Sequence, residues 1–191
     1  MRRYVFASIR MAIVTLVVLG IAYPLLVTGL AQLAMPAQAN GSLVTSGGTV
    51  VGSALIGQRF TQPKYFHGRP SAAGTDGYDP NASGASNLAP TSKALVDAVE
   101  ARVATAVAEN PGLSAGAVPI DMVTASGSGL DPDITLANAY AQVARVAATR
   151  GVTEAVLRGI VDSVAQGRQF GVLGEPRVNV LRLNLALDAR S

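Results

Sequence analysis

The chain has no cysteine, no tryptophan and a single histidine. Without cysteine, neither a disulfide framework nor a thiolate metal site can form. His67 alone cannot supply the imidazole cluster of a metal centre. Charge is also scarce: Asp, Glu, Lys and Arg together make up 14% of the 191 residues. The carboxylates are scattered, with no pair arranged for acid–base work. No G-x-x-x-x-G-K-[ST], G-x-S-x-G or H-E-x-x-H pattern occurs, so the phosphate loop, the nucleophile elbow and the helical zinc site are all missing.

The formal charge of +3 does not describe a nucleic-acid binder. Arg2, Arg3 and Arg10 account for the excess, and beyond them the chain carries twelve residues of each sign. A neutral remainder without a Lys/Arg cluster has no basic face with which to neutralise phosphates.

What the chain does have is one long apolar run. No charged residue lies between Met11 and Ala34, a stretch of about 24 residues, and roughly 20 suffice to cross a 30 Å hydrocarbon core. Lipid offers the backbone no hydrogen bonds, so the run must be helical. Pro24 removes one of those bonds and predicts a kink near Ala22–Tyr23. Three Arg precede or open the run, and the next basic residue is Arg59. The positive-inside rule then places residues 1–10 in the cytoplasm, 11–34 in the membrane and 35–191 outside. Ala37-Gln38-Ala39 resembles a signal-peptide cleavage site, but the run is about twice the usual 7–15-residue apolar region of such peptides. A retained anchor is the reading taken. Gly20 and Gly29 would let another helix approach closely, or they are simply glycines of a membrane helix.

Beyond the span, residues 36–92 are rich in Gly, Ser, Pro, Ala and Asn. Asn40-Gly41 and Gly47-Gly48 mark turns, and Thr49–Ile56 reads as a short strand. Pro63–Pro90 lacks periodicity, yet Tyr65, Phe66 and Tyr78 argue for an ordered loop. Three helices are predicted next. The first runs from a Thr91 or Ser92 cap to Pro111-Gly112. The second runs from about Ile134 to Thr149, opened by Asp131-Pro132-Asp133 and stopped by Gly151. The third starts at Thr153 and ends by Gly167. Alternation predicts strands at Ile120–Thr124 and at Leu181–Leu187. The fold class expected is an α+β domain on one N-terminal transmembrane helix.

Two stretches are candidate sites. In Thr124–Pro132 the glycines and serines Ser126, Gly127, Ser128 and Gly129 could cradle an anion at a helix start. The same run also fits a tight connection with Asp131 or Asp133 capping the helix. In Tyr65-Phe66-His67-Gly68-Arg69-Pro70-Ser71, with Ser83–Leu88 downstream, aromatics and Arg on a Gly/Ser loop fit an interaction surface, or a loop folded back on the core.

Taken in order, these blocks resemble the C subunit of the Kdp-type potassium-transporting ATPase of bacterial inner membranes. They are Tyr23-Pro24-Leu25-Leu26-Val27-Thr28-Gly29, Gln38–Leu43, Gly52–Gln58, Tyr65–Ala72, Ser86-Asn87-Leu88, Thr124–Pro132 and Gly174–Leu181. Asp133 stands where a His is expected in many relatives, and Ala85 and Ala89 stand where Gly is more usual. The resemblance implies a non-catalytic subunit of a pump. Its partners would be a channel-like potassium-binding A subunit, an ATP-hydrolysing B subunit and sometimes a small F peptide. It implies a catalytic chaperone that raises the B subunit's affinity for ATP through a ternary complex, and a gatekeeper over the outer potassium entrance. No covalent cofactor is implied; ATP is met only within that complex, and potassium is its cargo. Partner contacts are expected at Gly20, Pro24, Gly29, Tyr65, Phe66, Arg69 and Asn87, and nucleotide contact at Ser126–Gly129. From the residues alone, the competing reading is a membrane-anchored solute-binding module.

Overall fold

The structure is a computed structural model and describes residues 1–190. The chain divides into two compact units, 1–43 and 44–191.

The first unit is dominated by one continuous helical stretch, Arg2–Ala34, which contains an 18-residue window of mean hydropathy 2.3 and is long and apolar enough to cross a membrane. It comprises α1 (Arg2–Thr15), a π-helical segment (Leu16–Ala22) and α2 (Tyr23–Ala34). The disturbance expected at Pro24 takes the form of this π segment. Pro24 has no N–H for the carbonyl four residues earlier, and its ring crowds that carbonyl. Wider i→i+5 bonding in the preceding turns is one of the adjustments that accommodates such a break. None of the side chains in this stretch is buried. A short turn, α3 (Pro36–Ala39), follows. There Asn40 and Gln32 exchange two side-chain hydrogen bonds of 3.0 and 3.2 Å.

The second unit opens within β1 (Leu43–Ser46), which pairs with β2 (Thr49–Ser53) across Gly47-Gly48, both at positive φ. Residues 54–92 form no helix or strand. α4 (Lys93–Glu109) leads through a 3-10 turn (Ala115–Ala117) to α5 (Ile120–Val123). Then come β3 (Asp133–Thr135), α6 (Leu136–Arg150), α7 (Glu154–Val164), β4 (Arg177–Asn179) and α8 (Val180–Asp188). β3 and β4 are antiparallel, with Ile134 opposite Val178. The core gathers Ile134 and Val178 from this ribbon, Val143 and Val146 from α6, Leu157, Ile160 and Val161 from α7, and Leu183 and Leu187 from α8. The α+β class is as expected.

Two strand expectations are corrected. Ile120–Thr124 contains the four-residue helix α5, and Ile120 is exposed while Asp121 is buried, because Asp121 has partners inside. Leu181–Leu187 lies in α8. The Asn179 side chain accepts from Arg182 N–H and caps that helix. Val180, Leu183, Asn184 and Leu187 then face inward at helical spacing, and this outweighs the leucine alternation. The second helix starts two residues late. Asp133–Thr135 pair as a strand, and Thr135, not Asp131 or Asp133, supplies the cap. Gly151 ends it at φ +68, as read, while α7 stops at Val164, short of Gly167.

Candidate functional site

The Tyr65–Ser71 segment has no ladder of its own, so its backbone groups need partners elsewhere. Side-chain amides provide them. Asn184, on α8, accepts from Phe66 N–H at 2.9 Å and donates to Phe66 C=O at 3.0 Å. Gln142, on α6, does the same for His67, at 2.7 and 3.0 Å. Each amide thus replaces one residue of a neighbouring strand. Arg145 donates to the carbonyls of Pro63 and Tyr65, Arg150 to that of Lys64, and the Tyr78 hydroxyl to that of Arg69. The loop is ordered because helices α6 and α8 hold it residue by residue.

An extended segment sends successive side chains to opposite sides. Phe66 therefore enters the core, 0% exposed, while Tyr65 and His67 are part-exposed. This corrects the expectation of Phe66 as a surface contact. Tyr65 remains at the surface, its hydroxyl bonded to Asp188 at 2.9 Å and its ring 5.2 Å from the Arg150 guanidinium. Arg69 pairs with Asp131 at 2.9 Å and also reaches the Thr124 carbonyl. Asn87 is exposed, with φ +52.

The Ser126–Gly129 stretch meets this loop through its backbone. Gly129 C=O accepts from Ser71 Oγ at 2.6 Å, and Ser128 C=O accepts from Gly84 N–H and Ser83 Oγ. A Cβ on Gly129 would lie 2.7 Å from Gly84 O and 2.8 Å from Ala73 N, and Gly129 has φ +68. Close backbone approach requires glycine here. The amides of Gly129 and Leu130 bond within the stretch, to Ser126 O and Ser128 Oγ.

The stretch leads into β3, not directly into a helix. Where α6 does begin, the anion position is filled from within. The buried Asp121 carboxylate accepts from Thr135 N–H, Thr135 Oγ and Asn138 Nδ2 at 2.8–3.0 Å. Asp133 pairs with Arg177 at 2.9 Å and accepts from Asn179. Burial pushes its carboxyl above the ordinary value, against the pull of Asn179 and Arg177.

Between the loop, α4 and α6 lies a cleft of about 390 Å³. Arg59, Arg69, Arg102 and Arg145 line it, with His67, Asp76 and Glu109. Burial first, and then Arg145, holds His67 below its ordinary value of 6.5; the Gln62 carbonyl and Glu109, 3.7 Å away, oppose this. Folded His67 therefore takes up its proton at lower pH than it does in the unfolded chain. Its contribution to stability is complete above pH 6.5 and is lost as pH falls below that value. Urea midpoints of the full chain in mild detergent should drop between pH 7.5 and 5.5, and His67→Gln should shrink that drop. An unchanged drop would show that His67 contributes nothing to it.

The residues missed from sequence are the clamps: Asp121, Asn138, Gln142, Arg145 and Asn184, all buried. The available signal was polar residues on otherwise apolar helix faces: Asn138, Gln142 and Arg145 follow one another on α6 at helical spacing. Among the described residues no group of three or more acidic or imidazole side chains could hold a metal.

Comparison with known proteins places the chain among close relatives. Residues 5–189 match the family model KdpC, described as the c chain of the K+-transporting ATPase. The potassium-transporting ATPase KdpC subunit of Gemmatimonas aurantiaca is 61% identical over 172 residues, covering 90% of this chain and 85% of the relative. That of Rhodospirillum rubrum is 60% identical over 171 residues, covering 90% and 88%. That of Koribacter versatilis is 52% identical over 188 residues, covering 98% and 95%.

Proposed function

The chain belongs to the KdpC family, the c chain of the K+-transporting ATPase, and from that premise we propose that it is the non-catalytic assembly and regulatory subunit of a potassium-importing pump in a bacterial inner membrane. The match over residues 5–189 carries this reading, and the one long apolar helix is consistent with it. Its partners are the channel-like potassium-binding A subunit, the ATP-hydrolysing B subunit and a small F peptide. Arg2, Arg3 and Arg10 hold the N-terminus in the cytoplasm, so the second unit lies outside. There it caps the potassium entrance. The helix packs on partner helices along Gly20, Pro24 and Gly29, and Tyr65, Arg69 and Asn87 offer side chains to a neighbouring subunit.

The subunit acts as a catalytic chaperone, raising the B subunit's affinity for ATP in a ternary complex. With ATP inside and the Gly-rich stretch outside, this effect is a coupling free energy carried by the span and the other subunits. Ser126–Gly129 then serves to seat the outer loop, and ATP is contacted only within the assembled complex.

A tagged chain purified from native membranes should bring with it two large membrane proteins and potassium-stimulated ATPase activity. Recovery of a lone chain would instead favour an anchored solute-binding module.

A further inference from the structure

The arginines of the cleft are held in an unusual way. Arg59 donates to the Asp76 carbonyl at 2.9 Å, Arg102 to the Val123 carbonyl at 2.9 Å, and Arg145 to two carbonyls of the loop. Carbonyl dipoles fix a guanidinium's direction without cancelling its charge. Among the described residues, only Arg69 of the four has a carboxylate within ion-pair distance. Arg145 also donates to Asn110 Oδ1 and Gln142 Oε1, so Arg59 and Arg102 are the oriented cationic forks the cleft keeps open, and such forks match a carboxylate bidentately. Burial lowers the proton affinity of Arg145, and Arg145 in turn opposes protonation of His67, while the Glu109 carboxylate acts against both shifts.

The lining also limits what enters. Asp76 and Glu109 stand among the arginines. Their charge disfavours a compact polyanion relative to a single carboxylate. Phe60 and Met122 add apolar surface against which the methylenes of an acidic side chain and its neighbours can rest.

We propose that this cleft receives a carboxylate-bearing segment of another subunit of the transporter, with Arg59 and Arg102 contributing guanidiniums from its two walls. The proposal rests on the reading of the chain as a subunit of that complex. It adds to that reading a specific recognition element: an acidic side chain seated among fixed arginines.

The test uses the intact complex, with the photo-crosslinking residue benzoylphenylalanine introduced at Thr105, an exposed position lining the cleft on α4. Illumination should join the chain to another subunit, at a peptide with Asp or Glu within a few residues of the attachment point. Arg102→Glu should cut the yield at least tenfold, and reversing the partner's acid to Arg should restore it in that background. Arg59→Glu, at an exposed loop position, repeats the measurement should Arg102→Glu fail to fold. A complex that co-purifies with potassium-stimulated ATPase but gives no crosslink, or a crosslink only to a segment without acid, overturns the cleft assignment and leaves the subunit reading intact. Failure to co-purify overturns the subunit reading itself.

Discussion

Phe66→Ala is expected to lower the unfolding free energy by about 3–5 kcal/mol, the range for removing a buried phenylalanine. Phe66 is completely buried and is the largest fully buried side chain of the second unit. It comes from a loop, so nothing in local secondary structure would hold its backbone once the ring is gone. The carbonyl and amide of Phe66 are bonded to Asn184, itself 2% exposed. Loss of the ring therefore loosens the clamp as well as leaving a cavity. Denaturant unfolding of the full chain in mild detergent measures the effect. Phe66→Leu, which keeps apolar volume, should cost less than about 1.5 kcal/mol. The double variant Phe66→Ala/Asn184→Ala should cost less than the sum of its singles, because contacting residues share their interaction. Equal losses for Leu and Ala would show that packing in the core is not what holds the loop.

Asp121→Asn is expected to cost about 2–3 kcal/mol, close to the loss in Asp121→Ala. The carboxylate is 5% exposed and accepts three hydrogen bonds, from Thr135 N–H, Thr135 Oγ and Asn138 Nδ2. An asparagine has nearly the same shape, but its NH₂ would face donors and leave one of them unsatisfied. The negative charge also lies at the start of α6, where the helix dipole favours it. The same unfolding measurement decides the matter: a near-neutral Asp121→Asn would mean that shape, not acceptor capacity, matters at this position.

The sequence disclosed those features that depend on neighbours along the chain. The apolar helix followed from an uninterrupted run, and the turn at Gly47-Gly48 and the stop at Gly151 followed from glycine's access to positive φ. The helix α8 was hidden because its leucines satisfy period two, while its inward face at 180, 183, 184 and 187 includes an asparagine that a search for apolar stripes passes over. The clamps were hidden for a related reason. Gln142 and Asn184 look like misplaced polar residues until the loop they bind is set against them. The loop itself was legible as ordered through its aromatics, but Phe66 and Arg69 could not be sorted into core and surface by type. That sorting comes from the extended backbone, which turns one inward and holds the other against Asp131.

The bonds that order this loop are distant in chain position: Phe66 is separated from Asn184 by 118 residues and His67 from Gln142 by 75. A growing polypeptide therefore makes its loop long before it makes the residues that hold it. Until α6 and α8 have emerged, the segment has no ladder to join and its aromatic side chains remain in water. Closure of so large a separation slows folding far more than it weakens the finished domain. The residues of α8 complete the assembly of a segment synthesised more than a hundred residues earlier.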